Sequence, residues 1–384
     1  MTEPDTPREM TPEELLHRVE AGEYIQVLDV RAPQRLAGGG HIDVIPADRF
    51  FNMAGSQVRA LDDINQIGMA KDQPVAVVCG HGSSSKPIAA LLHEQGFAAA
   101  SLAGGMAGWM MTAYPRALPT QTGLDHLIQL DRVGKGALAY LLVSDGQALV
   151  IDPARNIEVY IARARKLGAE IFAVADTHVH ADYLSGAPAL AAQLGVPYHL
   201  HPADNAHVYE GTPGKLDISP IEDGAELTVG RATLEVMHTP GHTEGSVTFL
   251  LGDEAAFTGD FIFINSLGRP DLGGKVDAWA ANLWKSVCRA RESLPASIMI
   301  YPAHYASDAE RAADRTIGAT FDAVRAESEP FAMEREQDFI AWVKGRTSSF
   351  PEAYRKIKVA NVGLLEVTEQ EAEELEVGKN ECAA

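Results

Sequence analysis

The chain has 384 residues, 46% of them hydrophobic and 22% charged, a length and balance suited to two packed globular domains. Its 53 acidic against 32 basic side chains give a formal charge of −21, which argues against nucleic acid or anionic membrane as a partner, since clustered Lys and Arg grip phosphate. No apolar run is long enough to cross a bilayer, and three scattered cysteines, Cys79, Cys288 and Cys382, make no disulfide framework, so a reducing cytoplasm is the expected setting.

The opening MTEPDTPREM is acidic and carries prolines with no apolar stretch behind it, so it reads as neither a secretory signal nor a transit peptide. TPEELLHRVEAG then predicts a Thr-capped amphipathic helix, YIQVLDV and PVAVVC predict short apolar strands, PIAALLHEQG a helix with a glycine stop, and SLAG a further strand. This alternation predicts a parallel sheet covered by helices. Cys79 ends the PVAVVC strand and precedes a short loop and a helix. Backbone N–H groups converging there would stabilise a thiolate and bind an anion, whereas a merely packed cysteine is the plainer alternative.

YPRALPTQTG, 114–123, has two prolines and no apolar period and reads as a linker. Beyond it, LIQLDRV, ALAYLLVSD, QALVIDP, EIFAVADT, ATLEVMHTPG, SVTFLLGD and SIMIYPAH predict strands, with helices at IEVYIARARKLG and APALAAQLG. LEVTEQEAEELEVGKNECAA concentrates acidic residues and predicts a solvated helix or frayed tail.

Potential metal ligands stand at four of these strand ends. His178, His180 and Asp182 follow EIFAVADT, His242 lies in HTPGHT, Asp260 in FTGD, and His304 in YPAH. A metal site drawn from distant segments needs this arrangement, because each rigid strand fixes a ligand while the backbone turns away. The glycines of PGH and TGD suit tight turns beside such a site. His199, His201 and His207 read as surface polar residues with no metal role.

In this order THVHAD, HTPGHT, TGD and YPAH resemble the metallo-β-lactamase superfamily, over about residues 125 to 345. The resemblance implies an αβ/βα sandwich with the metal at one edge between its sheets. In members resembling glyoxalase II a first metal would take His178, His180, His242 and Asp260. A second would take Asp182, residue 183, Asp260 and His304. A histidine is usual at 183, and Tyr183 stands there instead; a phenol is a poor zinc ligand at neutral pH, so one metal is the simpler expectation.

The persulfide dioxygenases, a mononuclear branch, imply one Fe(II) on His178, His242 and Asp260, with His180, Asp182 and His304 orienting ligands or water from outside. GRPDL resembles that branch, and Arg269 within it is expected to clamp a carboxylate of the thiol carrier or brace the site. Tyr305 is a candidate pocket residue, with a core tyrosine as the alternative.

LDVRAPQRLAGGGHI, the Cys79 loop of Gly80, His81, Gly82, Ser83 and Ser84, and SLAGGMAGW resemble a rhodanese domain. In that family the cysteine carries sulfane sulfur as a persulfide. Arginine is frequent where Ser84 stands, and its absence speaks against efficient thiosulfate handling. The expected architecture is therefore α/β plus α+β: a rhodanese-like α/β domain over 10–112, a linker over 113–124, a metallo-β-lactamase-fold domain over 125–345 and a C-terminal extension over 346–384. The implied activity is oxidation of a low-molecular-weight thiol persulfide with O2 to sulfite and free thiol, coupled to sulfur transfer. A zinc thioester hydrolase and a non-catalytic persulfide carrier are the alternatives. A homodimer is the commonest form for a soluble oligomer.

Overall fold

The structure, a computed structural model, describes residues 8–38, 40–346, 349–378 and 380–382. Residues 1–7 of the acidic opening, Gly39 in the rhodanese-like motif and Lys379, Ala383 and Ala384 of the acidic end lie outside the described residues. The chain divides into two compact units, one running to Tyr114 and taking in Arg132–Lys135, the other comprising Pro115–Asp131, Gly136–Glu376 and the residues from Asn380.

The first unit is built on five strands in the spatial order Glu9–Met10, Ala99–Leu102, Val75–Val78, Gln26–Asp29 and Phe50–Asn52, all paired in parallel. The four residues of Val75–Val78 are all buried, as a strand covered on both faces requires. Thr11 caps the helix Pro12–Glu20 by accepting the Glu14 N–H at 3.1 Å, and Leu15 and Leu16 bury its apolar face. Cys79 leaves the carboxyl end of the middle strand, and the helix Ser85–Glu94 begins six residues on.

The second unit contains two sheets. Seven strands follow the order Ser219–Pro220, Tyr198–Leu200, Glu170–Ala175, Gln147–Ile151, Ala137–Ser144, His126–Arg132 and Tyr114–Ala117. Six follow the order Glu226–Val229, Ala232–His238, Val247–Leu251, Ala255–Gly259, Met299–Pro302 and Ala319–Thr320. Leu138, Tyr140 and Leu142 from the first sheet meet Leu234, Val236, Phe249 and Phe257 from the second in one apolar core. The helix Val276–Ser293 covers the second sheet through Ala280, Leu283, Val287 and Ala290. Tyr160, Ile161 and Ala164 are the buried face of the helix Glu158–Lys166.

One segment differs from the sequence reading and another adopts one of its two expected forms. The expected linker contributes the strand Tyr114–Ala117, where Pro115 is tolerated because the strand lies at a sheet edge and one face of its ladder needs no N–H. The acidic end takes the helical one of its two expected forms, with Ala372 its one buried residue between Glu369 and Leu375. Thr368 and Glu371 form a capping box on the helix Glu369–Leu375, Ala372 packs with Leu184 and Ile357, and the buried Glu376 accepts the Leu184 N–H at 3.0 Å.

Candidate functional site

The loop carrying His178, His180 and Asp182 follows Glu170–Ala175 in the seven-stranded sheet, whereas His242, Asp260 and His304 follow three strands of the six-stranded sheet. Two glycines permit the approach. Gly259 has φ +55°, and a Cβ there would stand 2.4 Å from Thr177 Oγ1; Gly241 has φ +146°, and a Cβ would meet the helix backbone at Leu283 at 2.5 Å.

His178, His242 and Asp260 present one ligand atom each within 4.8 Å of one another. Asp260 Oδ2 is 3.5 Å from both His178 Nε2 and His242 Nε2. All three atoms are buried and none has a hydrogen-bond partner, a cost that a bound cation removes. The remaining ring nitrogens are committed. His242 Nδ1–H donates to the Arg269 carbonyl at 3.0 Å. His178 Nδ1 is 2.9 Å from Thr177 Oγ1, whose hydroxyl donates to Asp152 Oδ2 at 2.9 Å, so that oxygen is left to accept from the ring. Both rings therefore turn an unprotonated Nε2 toward Asp260, which is the tautomer a metal needs. Burial lowers His242 well below the usual imidazole range. Burial acts to raise Asp260, but His304 and His178 hold it well below the usual carboxylate range. The donor set fits a divalent metal.

His180 does not join this trio. Its Nε2 lies 3.2 Å from Asp152 Oδ1 and 2.9 Å from the Tyr183 hydroxyl, and its ring stacks on Tyr183 with centroids 4.3 Å apart. Tyr183 also donates to the Asp152 carbonyl at 3.3 Å. Burial foremost, with Asp152, Asp176 and Asp182 nearby, pushes the phenol well above its usual range, so Tyr183 stays neutral and acts as a brace for His180.

His304 joins the two halves of the site. Its Nδ1–H donates to Asp260 Oδ1 at 2.6 Å, and its Nε2 lies 3.1 Å from Asp182 Oδ2. Burial works against its charge, yet Asp182 and Asp260 outweigh it and push His304 up to about 10. Arg269 and Tyr305 each admit two readings from the sequence. The Arg269 guanidinium is bound in a fork to Asp271, both bonds at 2.7 Å, so it braces the loop instead of clamping a ligand; its carbonyl is what orients His242. The Tyr305 hydroxyl donates to Asp131 Oδ1 at 2.9 Å and is capped by Arg311, so its ring packs in the core while the residue also lines the cleft beside His304.

Several residues of the centre escaped the sequence reading. Asp204 Oδ2 accepts the Val179 N–H at 2.8 Å and the Thr243 hydroxyl at 2.7 Å, tying two ligand loops together. Asn361 donates to the carbonyls of His180 at 2.9 Å and Tyr183 at 2.8 Å. Lys358, on the same helix Ala353–Asn361, is buried, makes no hydrogen bond through Nζ and is lowered to about 8 by burial. It lines a cleft of about 90 Å³ with Val179, Thr243, Lys275 and Trp279. A second cleft, of about 280 Å³, is lined by Phe263, Ser266, His304 and Asn380. Asp152 and Thr177 each stand just past the end of an apolar strand, in QALVIDP and EIFAVADT, which is a readable signal; nothing local marks the others. His201 stacks on His238, and among the described residues neither His199, His201 nor His207 belongs to a metal-type cluster.

In the first unit Cys79 Sγ accepts the Gly82 N–H at 3.2 Å and lies 3.2 Å from Ser85 Oγ. Burial acts to raise the thiol, but the Ser85 hydroxyl and N–H, the Ser84 hydroxyl and the His81 N–H together hold it below its usual range. Gly82 is buried, while His81, Ser83 and Ser84 are exposed.

Residues 133–304 match the metallo-beta-lactamase superfamily and residues 11–112 match the rhodanese-like domain. The bovine mitochondrial persulfide dioxygenase ETHE1 is 32% identical over 206 residues, covering 52% of this chain and 77% of that protein. The chain belongs to the metallo-beta-lactamase superfamily. The human ETHE1 is 34% identical over 160 residues, covering 41% of this chain but only 59% of that protein. A probable metallo-hydrolase, YqgX of Bacillus subtilis, is 31% identical over 154 residues, 36% of this chain and 72% of that protein. Among solved structures, ETHE1 from Myxococcus xanthus superposes with TM-score 0.52 at 25% identity, over 62% of this chain and 96% of that one. Metallo-beta-lactamase superfamily membership together with the convergent trio makes this an enzyme fold with a metal cofactor, carried behind a rhodanese-like domain. No helix among the described residues is long and apolar enough to cross a membrane.

Proposed function

We propose that the chain oxidises a low-molecular-weight thiol persulfide, such as glutathione persulfide, with O2 and water to sulfite and the free thiol, on one Fe(II) held by His178, His242 and Asp260. The observation that carries this reading is the convergence of three buried donors without hydrogen bonds, His178 Nε2, His242 Nε2 and Asp260 Oδ2, with His180 turned aside to Asp152 and Tyr183. Two histidines and one carboxylate suit non-haem Fe(II), which supplies open positions for O2 and the substrate sulfur and the electrons that activate oxygen. The persulfide dioxygenase relatives support the same branch.

The chain's own groups hold this arrangement in place. Thr177 and the Arg269 carbonyl set the ring tautomers, and His304 holds the free oxygen of Asp260 aside. Lys275 in the adjoining cleft is paired with Glu244 at 3.1 Å, whereas Lys358 Nζ makes no hydrogen bond and is the cation there that suits an anionic thiol carrier. Cys79 takes part as a sulfane-sulfur carrier in the rhodanese-like unit, with the Gly82 N–H and the Ser84 and Ser85 hydroxyls in place of an arginine. A reducing compartment belongs to the same reading, since no cysteine is disulfide-bonded among the described residues.

Protein reconstituted anaerobically with Fe(II) is expected to consume O2 when glutathione persulfide is added. Cys79→Ser should leave that uptake and remove sulfur transfer. Absence of uptake across several thiol persulfides would sink the proposal. The second reading, a zinc thioester hydrolase, draws on the likeness to a probable metallo-hydrolase and on the Asp182–His304 pair; it requires thioester cleavage that is indifferent to oxygen.

A further inference from the structure

The cleft of about 280 Å³ beside His304 is lined by one apolar ring, Phe263, and by the neutral polar side chains of Asn265, Ser266, Ser307 and Asn380. Among the described residues no lysine or arginine lines it. His304 itself is held between Asp182 and Asp260. The one other charged group in the lining is Glu310.

That carboxylate is anchored on one side and open on the other. Glu310 Oε1 accepts the N–H of Ala306 at 2.8 Å and of Ser307 at 3.0 Å, which caps the turn Asp308–Glu310 and fixes the orientation of the side chain. Oε2 has no hydrogen-bond or ion-pair partner. Asp308, two residues before it, is by contrast fully engaged, accepting from Arg311 at 2.8 Å and Arg315 at 2.7 Å. A half-buried carboxylate whose position is already set loses little conformational freedom when it meets a cation. A primary ammonium, with three donors around one charge, matches a single open oxygen. The volume lies near the lower end of ligand clefts, which suits an amino-acid or small peptide thiol and not a nucleotide-sized carrier. Lys358 gives the cleft at Val179 and Thr243 the opposite sign, so the two clefts complement a carrier that bears both an ammonium and a carboxylate.

We propose that Glu310 is the residue that selects the thiol carrier. Its Oε2 receives a primary ammonium, so the substrates are persulfides of amino-acid and peptide thiols, and polyphosphate carriers of the coenzyme A type are disfavoured. An anionic carrier with no ammonium meets a carboxylate of like charge in a cleft that offers no compensating lysine or arginine. The inference rests on the dioxygenase reading for the sulfur chemistry and on the cleft alone for the ammonium.

Full-length protein is to be titrated calorimetrically with S-methylglutathione, a redox-inert thioether, and with its glutaryl analogue, which lacks only the α-ammonium. The parent is expected to bind the first roughly three- to tenfold more tightly. Glu310→Gln keeps an amide oxygen for Ala306 and Ser307, so its melting temperature and circular dichroism should match the parent. It should bind both thioethers with the weaker affinity. In the iron-loaded protein the same variant should raise KM for glutathione persulfide with kcat near that of the parent, and coenzyme A persulfide should be the poorer substrate of the parent. Equal affinity of the parent for the two thioethers, binding of neither, or a penalty that persists in Glu310→Gln overturns the assignment. Ammonium-dependent binding without oxygen uptake keeps the cleft and rejects only the dioxygenase, whereas uptake indifferent to the ammonium rejects only the role of Glu310.

Discussion

Thr177 sits between Asp152 and His178 and decides which nitrogen of that ring is free, a role no ligand list includes. Outer partners of this kind are worth roughly 10–100-fold in metal affinity. Thr177→Val should weaken Fe(II) binding by about that factor in an anaerobic competition titration, with little change in circular dichroism. At Cys79 the sign of the shift gives a second prediction. The folded environment holds the thiol below its usual range, so its alkylation by iodoacetamide should persist at a pH where a free cysteine has fallen silent. Ser85→Ala, which removes the hydroxyl 3.2 Å from Sγ, should move the midpoint of that pH profile upward. An unshifted profile would mean that the loop does not stabilise the thiolate. The six candidate ligands were legible because each stands after a strand in a short polar motif. The tasks of Arg269 and Tyr305 were not, since an arginine two residues from Asp271 and a tyrosine beside His304 look the same whether they face a cleft or their neighbours.

The secondary elements matter here for what they carry to the ligand loops. Asp204, in the short turn Pro202–Asp204, accepts from Val179, Thr243 and Gly245 and so joins the loops of His178 and His242. Asn361, the last residue of the helix Ala353–Asn361, bonds the carbonyls on either side of Asp182 and accepts the Ser185 N–H at 3.0 Å. Truncating either residue strands several buried partners, at about 1 kcal/mol or more each. Asp204→Ala and Asn361→Ala should therefore cost roughly 2–4 kcal/mol in urea unfolding, more than a surface change of the same size. Strands such as ALAYLLVSD and QALVIDP were readable from their apolar runs. The long helix Val276–Ser293 and the helix Ala353–Asn361 were not anticipated, because the first follows a glycine-rich loop and the second carries four charged or polar residues among nine. Their packing partners lie far away in the sequence, where no local pattern points to them.

At the scale of the whole molecule, a net charge of −21 surrounds a centre that buries Asp152, Asp176, Asp182, Asp204 and Asp260. Burial foremost, with Asp152 adding to it against the pull of His180, already pushes Asp176 up to about 7. Carboxylates gathered in this way favour occupation by cations, and metal binding is then coupled to folding. Fe(II) at a hundredfold excess over its dissociation constant stabilises the folded state by about 2.7 kcal/mol. For a unit of this size that corresponds to a rise in melting temperature on the order of 5 °C or more, reversed by chelator and absent in His242→Ala. Two domains and their order along the chain were plain from the sequence, because each has its own run of strands and its own motif set. The burial of Glu376 and Cys382 at the acidic end was not, since its composition is that of a solvated helix and its contacts reach segments up to 244 residues away.

The most direct test of the central claim is oxygen uptake per bound iron by anaerobically reconstituted protein given glutathione persulfide, measured alongside sulfite and compared with Asp260→Ala. The account predicts one sulfite per O2 in the parent protein and loss of both iron and uptake in the variant. Uptake that survives the loss of Asp260, or an iron-loaded parent that consumes no oxygen, would contradict it.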